Sequence, residues 1–324
     1  MQLLVDAHYL LHRCMHVPAL SGLHTHDGRR TGAIFGFLRA LRSTLVKFNI
    51  TECIVVFDSG ISSRRRALDP TYKAHRKKPQ EEMTEEDVNY RLSFHEQRTL
   101  LRYVLLKLGC RVVTVPNTEA DDIIFTLARR TISNKVVMSD DKDYFQMVAP
   151  ATLLYRPMHD EVINCENFEE HFGLPQEKFL LARALMGDPS DGIQGIKGIG
   201  QKTAQKLLAP LEEVSVDSLL SACEGKKSAV CKTLLASRER LERNLALLDL
   251  ELEVLSETQQ RFLSEQFATA IVVPSLTRAL EFFHRFEMHS FMGDDELKTE
   301  DGKQRAHIAW ADPFMRLVNY PRVL

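Results

Sequence analysis

The chain of 324 residues lacks several features that would assign it to a class at once. It has no run near the ~18 apolar residues of a membrane span, and Asp6 and His8 interrupt the apolar N-terminal stretch, which is atypical of a signal peptide. It has six cysteines but no C-x-x-C pair, which predicts free thiols rather than disulfides or a zinc site. The sequence therefore predicts a soluble cytoplasmic protein with no membrane partner.

A large excess of charge of one sign is also missing, because the formal net charge is −2. The charge is nevertheless uneven: residues 64–78 hold seven Lys or Arg and one Asp, and five acidic residues follow within 80–88. Polyanion-binding proteins concentrate positive charge in this way, but a solvated charged loop gives the same pattern. Charge alone leaves both interpretations open.

Four short apolar runs predict buried parallel strands, since helical or polar sequence flanks each of them. The runs are Leu3–Val5, Cys53–Phe57, Arg111–Val115 and Lys135–Met138. Amphipathic helices are predicted at 32–48, 86–108 and 119–130, and a weaker strand pair at 152–155 and 161–164. Alternating strands and helices predict an α/β fold with a mainly parallel central sheet and flanking helices.

The pattern becomes helical after residue 166. We therefore predict an α/β core at 1–165 and a helical region at 166–291, followed by a tail at 292–324 to which the sequence assigns no role. No internal repeat or low-complexity segment is present.

Acidic residues follow each of the four predicted strands. The carboxyl ends of the strands in an open α/β sheet form its ligand crevice, so these side chains should meet there. One such acid often only caps the next helix, but that explanation is insufficient for four strand ends at once. The predicted set is Asp6, Asp58, Glu119, Asp121, Asp122, Asp141 and Asp143, joined by Asp188 and Asp191.

Crowded carboxylates repel one another and require a counter-ion. Ligands that are all oxygen favour Mg²⁺ or Mn²⁺ over zinc, and this many carboxylates can hold two ions, an arrangement that suits phosphodiester hydrolysis. A competing interpretation is a metal site formed by three histidines on one helical face, namely His8, His12 and His16. We interpret them as a surface or core stripe, since no supporting pattern accompanies them.

A glycine-rich segment at 187–200 precedes a helix that carries Lys202 and Lys206. Glycines let backbone N–H groups approach phosphate oxygens, the helix N-terminus adds its dipole, and each lysine can neutralise one phosphate. Together with the helix predicted at 175–187, this indicates a DNA-binding helix–hairpin–helix at about 175–209; a simple interhelical turn is the alternative. The predicted DNA contacts are Gly195, Gly198, Gly200, Lys202 and Lys206.

Four motifs occur in a specific order. They are D-P-x-Y-K-A-x-R at 69–76, E-A-D-D at 119–122, S-D-D-K-D-Y at 139–144 and G-D-x-S-D-G-I-x-G-I-x-G-I-G at 187–200. Together they resemble the 5′-nuclease superfamily: flap endonucleases, the 5′-nuclease domain of bacterial DNA polymerase I, and bacteriophage 5′→3′ exonucleases. The resemblance runs from Asp6 to about Phe291. It favours the stand-alone phage members, which would place the protein in the host cytoplasm.

The resemblance implies roles for individual residues. A helical arch would occupy about 77–100, Lys73 and Arg76 at its base would contact the scissile phosphate, and Tyr72 would stack on the terminal base. A monovalent cation is expected at the helix–hairpin–helix, although Gly192 stands where many members carry Asn. Asp140 is excluded from the metal site. The implied ligands are Asp58, Glu119, Asp121, Asp141, Asp143, Asp188 and Asp191, with Asp6 and Asp122 in the same cluster.

The expected reaction is metal-dependent hydrolysis of DNA at a 5′ end or 5′ flap, leaving 5′-phosphate and 3′-hydroxyl products. RNA in RNA–DNA hybrids is a second expected substrate, and the expected role is phage DNA replication, primer removal or DNA turnover beside a replicative polymerase or single-strand-binding protein. Two alternatives stay open. A PIN-type RNase shares the strand-end acids but lacks the arch and the helix–hairpin–helix, and a non-catalytic DNA-end-binding protein would have lost the metals.

Overall fold

The computed structural model describes residues 1–76, 80–252, 255–269, 274–292, 299–300, 303–304 and 309–317. The first residues of the predicted arch, 77–79, and most of the predicted tail lie outside these ranges. None of the described helices is both long and apolar enough to cross a lipid bilayer.

A six-stranded sheet with strand order β3-β2-β1-β4-β5-β6 forms the centre of the α/β core. Its strands are β1 (Gln2–Asp6), β2 (Glu52–Val56), β3 (Arg111–Val113), β4 (Lys135–Met138), β5 (Thr152–Arg156) and β6 (Glu161–Ile163). β1 to β5 are parallel, and β6 pairs antiparallel with β5. The predicted mainly parallel sheet is confirmed, and the weaker strand pair forms its antiparallel edge.

Apolar side chains alternate between the two faces of the sheet, and both faces are covered. Leu3 and Val5 of β1 pack into one core, and Leu4 packs into the other. A sheet buried on both faces needs unbroken apolar strands, which explains the short apolar runs in the sequence. The helices of this half are α1 (Ala7–Met15), α2 (Pro18–Ser21), α3 (Gly32–Lys47), α4 (Ser63–Leu68), α5 (Glu85–Lys107) and α6 (Ala120–Arg130).

The strand order places a crevice at the carboxyl end of β1. The chain runs from β1 outward to β2 and β3, and α6 then returns it to β4 on the other side of β1. Ligands of open α/β sheets bind where the strand order reverses in this way. The acids that follow β2, β1 and β4 are therefore brought to one edge of the sheet.

A third apolar core belongs to the helical region. The helices here are α7 (Phe168–Phe172), α8 (Phe179–Met186), α9 (Gln201–Leu208), α10 (Val216–Ser221), α11 (Ala229–Leu235), α12 (Arg238–Leu248), α13 (Glu257–Thr269) and α14 (Leu276–Arg285). The two-residue strands β7 (Gly187–Asp188) and β8 (Ile193–Gln194) form a tight hairpin between α8 and α9. The aromatic residues of α14 pack into the core of the α/β half, as its spacing predicted.

One face of the first half of α5 is exposed to solvent. Thr84 and Asp87 form a reciprocal capping box at the start of the helix, and Val88 and Leu92 are exposed. The second half packs through Leu101 and Val104 into the same core as β1. The exposed face lies within the predicted arch at about 77–100, and the arch itself stays a prediction.

Residues 309–317 fold back onto the α/β half. The Trp310 ring stacks on Phe291 with 4.2 Å between ring centroids, and Phe314 is fully buried. Arg42 Nε donates to the Trp310 carbonyl at 2.8 Å. This part of the predicted tail therefore closes one side of the core.

Candidate metal and phosphate site

Asp6 occupies the end of β1 and caps the helix that follows. One of its carboxylate oxygens accepts from the Tyr9 N–H at 3.0 Å, and the other accepts from the hydroxyls of Tyr144 at 3.2 Å and Ser139 at 3.3 Å. The side chain is buried at the crevice. Asp6 thus combines the capping role with the predicted place in the acidic cluster.

The N-terminus of α6 is capped by Asp58 rather than by Glu119, which is the first residue before the helix. The Glu119 side chain makes no capping hydrogen bond. Asp58 Oδ1 accepts from the Ala120 N–H at 2.5 Å instead, which ties the end of β2 to the start of α6. The capping alternative therefore fails for Glu119, whose carboxylate points into the cluster.

The remaining acids lie beside these two. Glu119, Asp121 and Asp122 each place a carboxylate oxygen within 4.8 Å of the others. Asp141 Oδ1 accepts from the Asp143 N–H at 3.0 Å in the turn after β4. Asp191 also belongs to the cluster, because the Tyr72 hydroxyl donates to both Asp191 and Glu119.

Burial and mutual repulsion make these carboxylates hard to ionise. Burial raises the pKa of Asp58 to about 6, and the charge of Asp121 adds to the effect. Burial and then the charge of Asp141 raise the pKa of Asp143 to about 7, although Arg183 opposes this. Buried carboxylates with raised pKa values offer oxygen ligands, which fit hard divalent cations such as Mg²⁺ and Mn²⁺.

Arg65 is a buried cation within this acidic cluster. It belongs to the basic segment 64–78, but it is only 2% exposed. Its guanidinium lies 2.5 Å from Glu119, 2.8 Å from Asp122 and 3.4 Å from Asp121. Net charge along the chain cannot separate Arg65 from exposed Arg66, so no signal in the sequence distinguished it.

Asp122 lies in the predicted cluster but forms a buried ion pair with Arg65. Its side chain is 0% exposed, and its second oxygen accepts from Arg65 Nη1 at 3.1 Å. Arg65 Nε also donates to the Leu247 carbonyl of α12 at 3.0 Å. The pair therefore joins the acidic cluster to the helical region.

Arg183 of α8 is a second buried cation that sequence reasoning missed. Its Nη2 lies 2.8 Å from Asp143 and 2.6 Å from Asp188. Burial acts to raise the pKa of Asp188, but hydrogen bonds from Ser190 and the charge of Arg183 outweigh it, so the pKa is lowered. Arg183 thereby links the acids after β4 to those of the glycine-rich segment.

Lys73 and Arg76 both reach the acidic cluster, but not from one helix face. Lys73 has a positive φ of 53°, and the 3₁₀ turn Ala74–Arg76 begins only after it. Lys73 Nζ lies 2.8 Å from Glu119 and 3.5 Å from Asp191, and Arg76 Nη2 lies 2.5 Å from Asp191. The two side chains therefore reach the acids from a turn, and their contact with a scissile phosphate stays a prediction.

Tyr72 does not present its ring for base stacking. The residue is 3% exposed and packs in the core of the helical region, with its hydroxyl 3.0 Å from Glu119 and 3.1 Å from Asp191. The predicted stacking role is therefore wrong for this arrangement. The ring supports the acids and Lys73, whose Nζ lies 4.9 Å from the ring centroid.

Some glycines of the hairpin allow close backbone packing, and others are exposed to solvent. A Cβ on Gly195 would lie 2.1 Å from the Met186 carbonyl oxygen, so Gly195 permits close packing, and its contact with DNA stays a prediction. Gly198 and Gly200 are exposed, and Gly198 has a φ of 84°. Lys202 and Lys206 are exposed one turn apart on α9.

The histidine stripe packs α1 against α5. The His12 ring stacks on Phe94 at 4.2 Å, and the Tyr90 hydroxyl lies 2.6 Å from His12 Nδ1 and 3.2 Å from His16 Nε2. Burial lowers the pKa of His12 to about 3. This agrees with the stripe interpretation rather than the histidine metal site.

Two family models match the chain. The model described as 5'-3' exonuclease, N-terminal resolvase-like domain, matches residues 1–173, and the model described as 5'-3' exonuclease, C-terminal SAM fold, matches residues 174–268. The chain belongs to the 5'-3' exonuclease family, and the predicted membership of the 5′-nuclease superfamily is confirmed.

Two curated relatives differ in length: one is matched over nearly its whole chain, and the other over less than a third of its chain. The 5'-3' exonuclease of Aquifex aeolicus (strain VF5) is 30% identical over 291 residues, which cover 89% of this chain and 93% of the relative. A thermostable DNA polymerase I of Thermus thermophilus is 34% identical over 255 residues, or 78% of this chain. The matched part spans 28% of that polymerase.

Solved structures that share the fold include two from bacteriophage T5. One, described as divalent metal ions (zinc) bound to T5 5'-exonuclease, has a TM-score of 0.66 at 22% identity and covers 88% of this chain and 97% of its own. The other is a bacteriophage T5 D15 flap endonuclease complex with DNA and metal ions, with a TM-score of 0.65 at 21% identity. It covers 87% of this chain and 99% of its own.

Proposed function

We propose that the protein is a divalent-metal-dependent nuclease that hydrolyses DNA phosphodiesters at a 5′ end or a 5′ flap. The products would be 5′-phosphates and 3′-hydroxyls. One observation carries this proposal: acids from three strand ends, from α6 and from the glycine-rich segment meet in one crevice beside Lys73 and Arg76. A crowded set of carboxylates next to two cations is suited to metal ions and a phosphate together.

The carboxylates of the crevice would hold two Mg²⁺ ions, with Mn²⁺ as a substitute. When bound, these ions would supply an activated water and stabilise the leaving oxygen. Asp122 is paired with Arg65 and is left out of this ligand set. The carboxylates that would hold the ions are Asp6, Asp58, Glu119, Asp121, Asp141, Asp143, Asp188 and Asp191.

Lys73 and Arg76 would bind the oxygens of the scissile phosphate. Lys73 is 12% exposed and Arg76 is 50% exposed at the side chain, so both are held near the acids while Arg76 still faces solvent. Negative charge on the phosphate oxygens grows in the transition state, so a fixed cation stabilises that state more than the bound substrate.

The segment from α8 to α9 would hold duplex DNA by its backbone. Gly198 and Gly200 are exposed, and Lys202 and Lys206 add positive charge one turn apart. Such contacts position the duplex without reading its sequence. The same proposal includes RNA in an RNA–DNA hybrid as a second substrate and a monovalent cation bound at this segment. It also includes action beside a polymerase in replication or primer removal.

Cleavage of three labelled substrates tests the function: a 5′-flap duplex, a blunt DNA duplex and single-stranded RNA, each with and without Mg²⁺. We expect Mg²⁺-dependent cleavage of the two DNA substrates and collapse of cleavage in Asp141→Asn, with DNA binding largely retained. Cleavage confined to RNA would instead favour the PIN-type RNase. DNA binding without cleavage would favour the end-binding protein, and near-normal turnover of Asp141→Asn in saturating Mg²⁺ would contradict the metal assignment.

A further inference from the structure

Arg98, on the second half of α5, differs from the other cations around the acidic cluster. Its Nη2 donates to the main-chain carbonyl of Asp58 at 2.6 Å, and its guanidinium lies over the Phe57 ring at 5.8 Å. Within the described part of the chain, its Nε has no hydrogen-bond partner and the residue forms no ion pair with a carboxylate. Lys73 and Arg76, by contrast, are bound to carboxylate oxygens.

A second polar side chain, His8, lies beside Asp58 at this edge of the cluster. His8 Nδ1 is 3.6 Å from the Asp58 carboxylate and, in the ranges described, has no hydrogen-bond partner. His8 Nδ1 and Arg98 Nε, both beside Asp58, thus lack hydrogen-bond partners among the described residues. Burying a polar group without a partner costs free energy, and a bound ligand can supply the missing hydrogen bonds.

The order of the acids along the sheet places α8 and Arg98 on opposite sides of the crevice. Asp58, Asp6 and Asp141 follow β2, β1 and β4, which are neighbours in that order. Beyond β4, Asp143 contacts Arg183 of the helical region. Through Arg183, α8 therefore meets the crevice on the β4 side, whereas Arg98 lies on the β2 side.

This inference rests on the proposed function, in which the segment from α8 to α9 holds the duplex. A strand that leaves the duplex on the β4 side would cross the acids toward β2. Its nucleotides 5′ of the scissile phosphate would then lie next to Arg98. We propose that Arg98 binds the phosphate immediately 5′ of the scissile phosphate. The enzyme would then distinguish 5′-phosphorylated ends from 5′-hydroxyl ends, because a guanidinium forms charge-assisted hydrogen bonds with phosphate oxygens.

Arg102 is a matched control for Arg98. It lies one turn further along α5, and its guanidinium also sits over Phe57, at 5.6 Å, whereas the Asp58 carbonyl accepts its hydrogen bond from Arg98. The test compares wild type, Arg98→Ala and Arg102→Ala on blunt duplexes with a 5′-phosphate or a 5′-hydroxyl. Binding is measured by fluorescence anisotropy in EDTA and in Ca²⁺, and single-turnover cleavage of the terminal nucleotide is measured in Mg²⁺.

We expect wild type and Arg102→Ala to bind the 5′-phosphorylated end about tenfold more tightly than the 5′-hydroxyl end, which is the effect of one charge-assisted hydrogen bond. Arg98→Ala should lose most of this preference. Equal preference in Arg98→Ala and wild type, or no preference in wild type, would overturn the inference. If Arg98→Ala fails to fold, Arg98→Lys should retain part of the preference and Arg98→Met should lose it; equal preference in those two variants overturns the inference as well.

The binding arm separates this inference from the proposed activity. A wild-type protein that prefers the 5′-phosphorylated end but cleaves neither duplex would support Arg98 as a phosphate ligand and contradict the nuclease proposal. Cleavage of both duplexes at equal rates, with equal affinities, would support the nuclease proposal and contradict the role of Arg98.

Discussion

Arg65 shows how one side chain allows several carboxylates to be buried together. Its Nε donates to the Leu247 carbonyl, its Nη1 donates to both Glu119 and Asp122, and its Nη2 lies 2.8 Å from Asp122. A buried guanidinium and a buried carboxylate are each costly alone, but they compensate when paired and hydrogen-bonded. Burial and then the neighbouring Asp121 still raise the pKa of Asp122, so Arg65 offsets only part of the cost.

We predict that Arg65→Ala lowers the free energy of unfolding by about 3–5 kcal/mol, because it leaves Asp122 buried without its cation. Urea denaturation of the metal-free protein measures this. Exposed Arg66 is the control, and Arg66→Ala should change stability by less than about 0.5 kcal/mol. Equal effects of the two variants would show that the buried pair does not stabilise the fold.

Lys73 is expected to act on the rate of cleavage rather than on binding. Lys73→Ala should lower the single-turnover rate by ~10²-fold or more, since it removes one preorganised donor from the phosphate. Binding in Ca²⁺ should weaken by less than about tenfold, because other basic residues still hold the backbone.

Arg66→Ala also serves as the control for Lys73→Ala, since Arg66 belongs to the same basic segment but faces solvent. It should leave the saturated cleavage rate intact. If the two variants cleave at the same saturated rate, Lys73 has no catalytic role and belongs only to the basic segment.

At the scale of elements, the hairpin between α8 and α9 depends on close contact of its backbone. Gly195→Ala should destabilise the protein, because its Cβ would meet the Met186 carbonyl oxygen at 2.1 Å. Gly200→Ala should leave stability nearly unchanged, since nothing lies within 4 Å of a Cβ there and no positive φ is required. Thermal unfolding of both variants tests this, and equal melting temperatures would show that the hairpin adapts to a side chain.

The exposed lysines of α9 should determine part of the salt dependence of DNA binding. Lys202→Ala with Lys206→Ala should reduce the slope of log K against log salt by about two units, because each lysine neutralises about one phosphate. The saturated cleavage rate should remain. Exposed Lys226 and Lys227, between α10 and α11, provide a control pair whose replacement should preserve the slope.

An unchanged slope after replacement of Lys202 and Lys206 would show that α9 does not hold the DNA backbone. A slope reduced equally by replacing Lys226 and Lys227 would show instead that the charge effect is spread over the helical region.

At the scale of the whole molecule, the acidic cluster makes stability depend on pH and on metal. Asp58 and Asp143 have folded-state pKa values of about 6 and about 7, above the usual Asp value of about 4. The folded protein therefore holds protons that the unfolded chain releases. The resulting stabilisation is complete below pH ~4 and is lost as the pH rises through about 6 to 7.

The metal-free protein should consequently melt at a lower temperature at pH ~8 than at pH ~5. Mg²⁺ at a hundred times its Kd should restore about 2.7 kcal/mol at the higher pH. Asp141→Asn should reduce the loss, because the charge of Asp141 helps to raise the pKa of Asp143. Calorimetry in EDTA and in Mg²⁺ measures these effects, and a pH-independent melting temperature in EDTA would contradict them.

Local sequence determined the elements of the fold and the types of residue in the site. Apolar runs specify β1, β2 and β4 because a strand buried on both faces has no polar alternation. The acids after those strands could be assigned to one crevice, because parallel strands with short connections place their carboxyl ends at a common edge. Glycine-rich sequence likewise indicated the hairpin between α8 and α9.

Tertiary structure decided what each charged or aromatic side chain does. Arg65 and Arg66 are adjacent in one basic segment, yet only Arg65 is buried against the acids. Tyr72 is buried among carboxylates rather than exposed to a base, and Arg183 and Arg98 reach acidic loops that lie far from them in sequence. Such roles depend on the relative placement of α4, α5, α8 and the sheet, because charge and burial are fixed by neighbours that a linear pattern does not contain.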